Sequence, residues 1–76
     1  MGARILLQEK WSTTAEVLSS FGKAKVLNDE RIRFEVGGGD NRLIAAFKFK
    51  NGVVYVKFIG SHAEYDKVDA LTVSQF

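Results

Sequence analysis

The sequence has no cysteine, no proline and one histidine, His62, in 76 residues. Without cysteine there is neither a disulfide nor a thiolate metal ligand, which favours a reducing compartment. A lone histidine argues against a zinc site. With no proline, repeat, linker or low-complexity stretch, the whole of 1–76 is expected to form one compact unit. Long apolar runs are also missing. Segments 5–7 and 53–56 are far too short to span a bilayer, and 5–7 is too short for the hydrophobic region of a signal peptide. The expectation is a cytoplasmic protein with no membrane partner.

What is present is the composition of a folded soluble domain, 46% hydrophobic and 26% charged. A chain this short buries only about 60% of the surface its unfolded form exposes, so its net stability is small. The charge is unevenly placed. Residues 1–30 balance four basic against four acidic groups, whereas 31–60 carry Arg31, Arg33, Arg42, Lys48, Lys50 and Lys57 against Glu35 and Asp40. Residues 61–76 carry Lys67 against Glu64, Asp66 and Asp69. A basic middle followed by an acidic end suggests a surface that faces a polyanion.

Periodicity predicts a helix over 9–21, with cap hydroxyls at Ser12, Thr13 and Thr14, an apolar face of Ala15, Val17, Leu18 and Phe21, and Gly22 as its stop. A short strand over 24–27 and a turn at Asn28-Asp29-Glu30 follow. Arg31–Val36 alternates strictly with period two, and Gly37-Gly38-Gly39-Asp40-Asn41 must be a loop. Strands are predicted over 42–50 and 53–59, joined by a two-residue Asn51-Gly52 turn. A helix over 61–71 ends the chain, opened by a Ser61/Glu64 capping box. Trp11 and the six phenylalanines are expected in the core.

The predicted turn sets a register. Phe49/Val54, Phe47/Val56 and Ala45/Phe58 would share one face with Leu43, joined by Ile32, Phe34 and Val36 of the preceding strand. The other face would hold the rows Arg31–Lys48–Tyr55, Arg33–Ala46–Lys57 and Glu35–Ile44–Ile59. Two such rows place four cations and a tyrosine about 5 Å apart, an arrangement that costs stability. Two readings stand open: a solvated face that blunts aggregation, or a phosphate-binding surface.

The triple glycine is not followed by the Gly-Lys-Ser/Thr of a phosphate-binding loop, so a flexible turn fits it better. Ser61 and His62 are adjacent, so they point apart on a helix and do not make a nucleophilic dyad. The segment Ser61-His62-Ala63-Glu64-Tyr65-Asp66 nonetheless starts a helix directly after a strand of the basic sheet. It offers two groups able to move protons, His62 and Tyr65. Read alone, a histidine in a first helical turn also fits a surface or packing role.

These residues carry a family likeness. Arg31-Ile32-Arg33-Phe34-Glu35-Val36-Gly37-Gly38, then Asn41-Arg42-Leu43-Ile44-Ala45, resembles a run found in HigB-family toxins. Val54-Tyr55-Val56-Lys57-Phe58-Ile59-Gly60-Ser61-His62-Ala63-Glu64-Tyr65-Asp66-Lys67 is similar to the family's strand–Gly-Ser/Thr-His-x-Glu-Tyr-Asp block. Upstream, Trp11, Thr14-Ala15-Glu16-Val17 and Phe21 match its Trp-x-Thr-Pro-Ala-Asp-Val-x-x-x-Phe pattern, with Thr14 where proline usually stands. The likeness covers roughly residues 11–70.

The resemblance implies a RelE/ParE-like α+β fold: an antiparallel sheet of three to four strands with an N-terminal helix and a short C-terminal helix. It implies the toxin of a type II toxin–antitoxin system, an mRNA endonuclease acting on translating ribosomes without metal or cofactor, and silenced by a small helix-turn-helix antitoxin. Such enzymes align the ribose 2′-OH against the neighbouring phosphate and leave a 2′,3′-cyclic phosphate and a 5′-OH. Carried over, Arg42 and Lys57 would hold the scissile phosphate, although the family often has arginine in place of Lys57. His62 and Tyr65 would share the roles of base and acid, Asp66 is available to orient one of them, and Arg31, Arg33, Lys48 and Tyr55 would line the RNA path. Family members usually begin with a strand and a longer helical hairpin, and here ten residues precede Trp11. The expectation is thus a truncated form lacking the first strand, with part of the apolar face (Phe34, Phe47, Val56) exposed and inviting a homodimer or an obligate partner. The alternative is a toxin-like module that binds antitoxin or RNA without cleaving it. An RRM-like RNA binder fits poorly, because 54–60 lacks that motif's glycine-aromatic spacing.

Overall fold

The computed structural model describes residues 3–6 (as backbone), 13–19 and 21–76. Its elements are β1 (Ala3–Leu6), α1 (Thr14–Ser19), β2 (Ala24–Val26), β3 (Arg31–Val36), β4 (Asn41–Lys48), β5 (Val53–Ser61) and α2 (His62–Tyr65), with a single 3-10 turn at Phe49–Asn51. They form one antiparallel sheet in the order β1-β5-β4-β3-β2. The α+β class, the N-terminal helix and the short C-terminal helix are as the sequence implied.

The sheet has five strands rather than three or four, and the expected loss of the first strand is corrected. β1 pairs with the outer edge of β5, from Ala3 opposite Val56 to Leu6 opposite Val53. β5 is nine residues long, and without β1 that edge would present unpaired amides and carbonyls.

Both helices are shorter than periodicity predicts. α1 starts after Thr13, whose hydroxyl oxygen accepts the Glu16 amide at 3.2 Å, and residues 9–12 and 20 of the predicted helix lie outside the described set. Phe21 stands beyond the helix end, and Gly22 does not adopt the left-handed conformation of a C′ stop. At the other end α2 is one turn, not the helix predicted over 61–71. Asp69 accepts the Leu71 amide on its own side chain at 3.0 Å, a local bond that competes with helix continuation.

The core lies between α1 and one face of the sheet: Val17, Ile32, Ala45, Phe47 and Val54 are buried, with Ala24, Val26, Phe34, Leu43 and Phe49 packed around them. Phe47 is buried beneath this cover, while Phe34 and Val56 stay half-buried. The phenylalanines do not all belong to the core, because Phe21 and Phe76 are exposed. Trp11 lies outside the described residues.

The hairpin departs from the predicted two-residue turn. Phe49 folds inward and stacks on Phe47 with ring centroids 5.7 Å apart, so 49–52 become a four-residue connection closed by Gly52 at φ +68°. Lys48 then faces Val53, and Phe47 faces Val54. That two-residue shift leaves the faces unchanged. A bulge does not. Ala45 pairs with Val56 but Ile44 pairs with Phe58, which leaves Lys57 as the extra residue and swings Phe58 to the opposite face. β3 is also shifted by two, with Ile32 facing Ala45 and Phe34 facing Leu43, and the loop is Gly37–Asp40.

Candidate functional site

The bulge and the shifted registers dissolve the predicted cation rows. The second face reads Arg31–Ala46–Tyr55, Arg33–Ile44–Phe58 and Glu35–Arg42–Gly60. It is neither fully solvated nor uniformly basic, because Ile44, Ala46 and Phe58 are buried. Arg31 explains part of the cover. Its Nη1 donates to the carbonyls of Ala70 (3.0 Å) and Val73 (2.8 Å), holding the C-terminal segment against the sheet. That segment also donates from the Gln75 amide to the Lys57 carbonyl at 2.8 Å, and the Gln75 side chain accepts the Ile59 amide at 3.0 Å.

Beside the glycine turn at the end of this face lie Arg42 and the start of α2, which carries His62 and Tyr65, with Arg33 over the Tyr65 ring. Gly37, Gly38 and Gly39 all have positive φ, from +63° to +96°, which glycine adopts without steric cost. Arg42 Nη1 donates to the carbonyls of Gly39 at 2.6 Å and Asn41 at 3.1 Å. The arginine is only 9% exposed, and its Nε is buried without a partner. Among the described residues no carboxylate pairs with it. A buried guanidinium left without a counter-ion is a standing demand for an anion.

β5 runs from Gly60, opposite Arg42, into α2. The amide of His62 donates to the Asp40 carbonyl at 3.0 Å, which ties the start of α2 to the same turn that holds Arg42. The His62 imidazole is exposed, with Nε2 3.6 Å from Asp66 Oδ2. Tyr65 packs its ring 6.2 Å from that of Phe58 and lies under the Arg33 guanidinium at 5.9 Å. Arg33 also sits 3.6 Å from Glu35, and its Nε, like that of Arg42, is buried and unpartnered.

The start of α2 is fixed by the predicted capping box. The Ser61 hydroxyl accepts the Glu64 amide at 3.1 Å, and Glu64 Oε1 accepts the Ser61 amide at 2.8 Å. The Ser61 amide foremost, and next the Ser61 side chain, hold the Glu64 carboxyl below the usual glutamate range, so it is ionised at neutral pH.

The remaining nominated residues stand elsewhere. Lys57, at the bulge, places Nζ 5.4 Å over the ring of Tyr55. Lys48 is bound by both oxygens of Glu30, at 2.7 and 2.8 Å. The structure thus seats Arg33 over Tyr65, ties Arg42 and the His62 backbone to one turn, pairs Lys57 with Tyr55, and engages Arg31 and Lys48 in internal contacts. Sequence reasoning placed Arg33 on the RNA path but did not foresee its seat over Tyr65. A bulge that has no marker residue brings Phe58, and with it Tyr65, to the face of Arg33. Glu30 falls in the predicted turn, and its bond to Lys48 depends on the β3–β4 register.

A family model described as HigB toxin, the RelE-like toxic component of a toxin–antitoxin system, matches residues 3–68. The protein named mRNA interferase HigB from Escherichia coli O6:H1 (strain CFT073) is 34% identical over 70 residues. The match covers 86% of this chain and 65% of that relative, so the chain spans less than two thirds of the relative's length. No solved structure matches the chain.

Proposed function

The chain belongs to the HigB toxin family of RelE-like toxic components of toxin–antitoxin systems, and from that premise we propose that it is an endoribonuclease that cleaves mRNA on the ribosome and is silenced by a cognate antitoxin. The observation that carries this reading is the placement of Arg42 and the start of α2, with His62 and Tyr65, on one turn, Arg33 lying over Tyr65. A buried cation with an open donor and two proton-transferring side chains share one end of a sheet face.

In this reading Arg42 binds the scissile phosphate and Arg33 stabilises its developing charge from its seat over Tyr65. One of His62 and Tyr65 removes the proton of the ribose 2′-OH. The 2′-oxygen attacks phosphorus and the bond to the 5′-oxygen breaks. The other residue protonates the leaving oxygen. The products are a 2′,3′-cyclic phosphate and a 5′-OH. Lys57 and Tyr55 offer a cation and a stacking ring to a neighbouring nucleotide.

Inducing the chain with and without its cognate antitoxin, scored by growth and by mapping mRNA ends, tests this reading. Arrest by the wild type, with recovery in Arg42→Ala, His62→Ala and Tyr65→Phe, is the expected result. Equal toxicity of all three variants would defeat the site assignment. A second reading, a module that binds antitoxin or RNA without cleaving, is favoured by the burial of Arg42 and its two bonds to backbone carbonyls. Absence of cleavage by the wild type would select it.

A further inference from the structure

Gly60 is the last residue of the sheet before the capping serine, and its φ is not positive. The need for glycine here is therefore space rather than backbone conformation. A Cβ at this position would lie 2.9 Å from Glu64 Oε1, 2.9 Å from Phe58 Cζ and 3.4 Å from Glu64 Cβ. Phe58 is 3% exposed and packed against Tyr65, so it has little room to yield. Glu64 would have to give way, and its carboxylate is the group that receives the Ser61 amide.

Resting on the RNA-cleavage reading above, we propose that Gly60 and Glu64 are a positioning pair, in which the bare backbone of one lets the carboxylate of the other lock the turn that orients His62 and Tyr65. Three links make the coupling direct. Gly60 stands across from Arg42 in the β4–β5 register. The next residue but one, His62, is pinned through its amide to Asp40. Tyr65 follows Glu64 immediately and takes its place between Phe58 and Arg33. Glu64 itself is exposed and its carboxylate is engaged by the Ser61 amide, so it acts through the turn and not on substrate. Its ionised state at neutral pH makes it the stronger acceptor.

The test uses the full chain and four forms: wild type, Gly60→Ala, Glu64→Ala and Glu64→Gln. Gln keeps an oxygen acceptor at the same reach. Cleavage of a model mRNA by translating ribosomes is read as kcat and KM, and the Ser61 amide and the His62 and Tyr65 ring signals are read by NMR. A displacement of an ångström at a reacting group costs up to about 10²-fold in rate. Gly60→Ala and Glu64→Ala are therefore expected to lower kcat roughly tenfold or more, leave KM near wild type, and shift the Ser61, His62 and Tyr65 signals while the β3 and β4 amides stay in place. Glu64→Gln should restore most of the rate and the wild-type ring signals. Unmoved His62 and Tyr65 signals in Gly60→Ala and Glu64→Ala would overturn the proposal, and so would a Glu64→Gln no better than Glu64→Ala. If the wild type cleaves no RNA while the ring signals still move as stated, the positioning pair stands and the nuclease reading fails.

Discussion

Arg42 and His62 hang from adjacent carbonyls of a single turn, the guanidinium on Gly39 at 2.6 Å and the histidine amide on Asp40 at 3.0 Å. The spacing between the buried cation and the start of α2 is thus set by the backbone of Gly37–Asp40, whose three glycines hold positive φ.

Gly38→Ala probes this turn. Its Cβ would meet nothing within 4 Å, so the cost is conformational alone. At φ +70° an alanine is expected to lower stability by about 1 kcal/mol, read from urea denaturation. The amide of His62 should shift in the same variant.

Arg31→Ala removes the clasp on Ala70 and Val73. Two part-buried carbonyls lose a charged donor, which should cost up to about 3 kcal/mol. Hydrogen exchange of the amides in 70–76 should accelerate before that of β3. Arg31→Lys should recover only part of the loss, because one ammonium does not reproduce the planar fork.

Glu30→Gln tests the Lys48 ion pair. Both side chains are about two-fifths exposed, so stability should fall by no more than about 1 kcal/mol, and the difference should shrink as salt is added. A loss that is large and indifferent to salt would contradict an ion pair as the source of the Glu30 contribution.

The capping box should respond to acid. The folded-state pKa of Glu64 is depressed, so its contribution is present above the unfolded value and is lost as pH falls through the lower, folded one. The Ser61 amide shift should therefore titrate with a midpoint below the usual glutamate range. Glu64→Gln should abolish that titration. A midpoint within or above the usual range would contradict the bond to Ser61.

Much of this architecture was legible where side chains leave a local signature. β3 has the predicted limits, because strict alternation of Arg31, Arg33 and Glu35 with Ile32, Phe34 and Val36 fits only one pleat. The capping box was equally plain, since Ser61 and Glu64 need only each other. What escaped depended on distant partners. Phe49 left its strand to stack on Phe47, overriding the Asn51-Gly52 turn signal. The bulge at Lys57 has no glycine to announce it and reassigned Phe58, which in turn gave Tyr65 its packing partner. Arg31 and Lys48 looked like surface cations because the groups that engage them, two C-terminal carbonyls and Glu30, lie far away in sequence. Arg33, Arg42, His62 and Tyr65 were individually visible. Their relative placement was not.

The strand order also sets a schedule for folding. β3, β4 and β5 each pair with the strand before them, so β2 to β5 can zip together as they are synthesised. β1 is made first and joins last, since Ala3 must wait for Val56, roughly fifty residues later. Until that closure the nascent sheet keeps an open edge along β5. The final, non-local step of folding is therefore the one that denies this edge to strands of other chains.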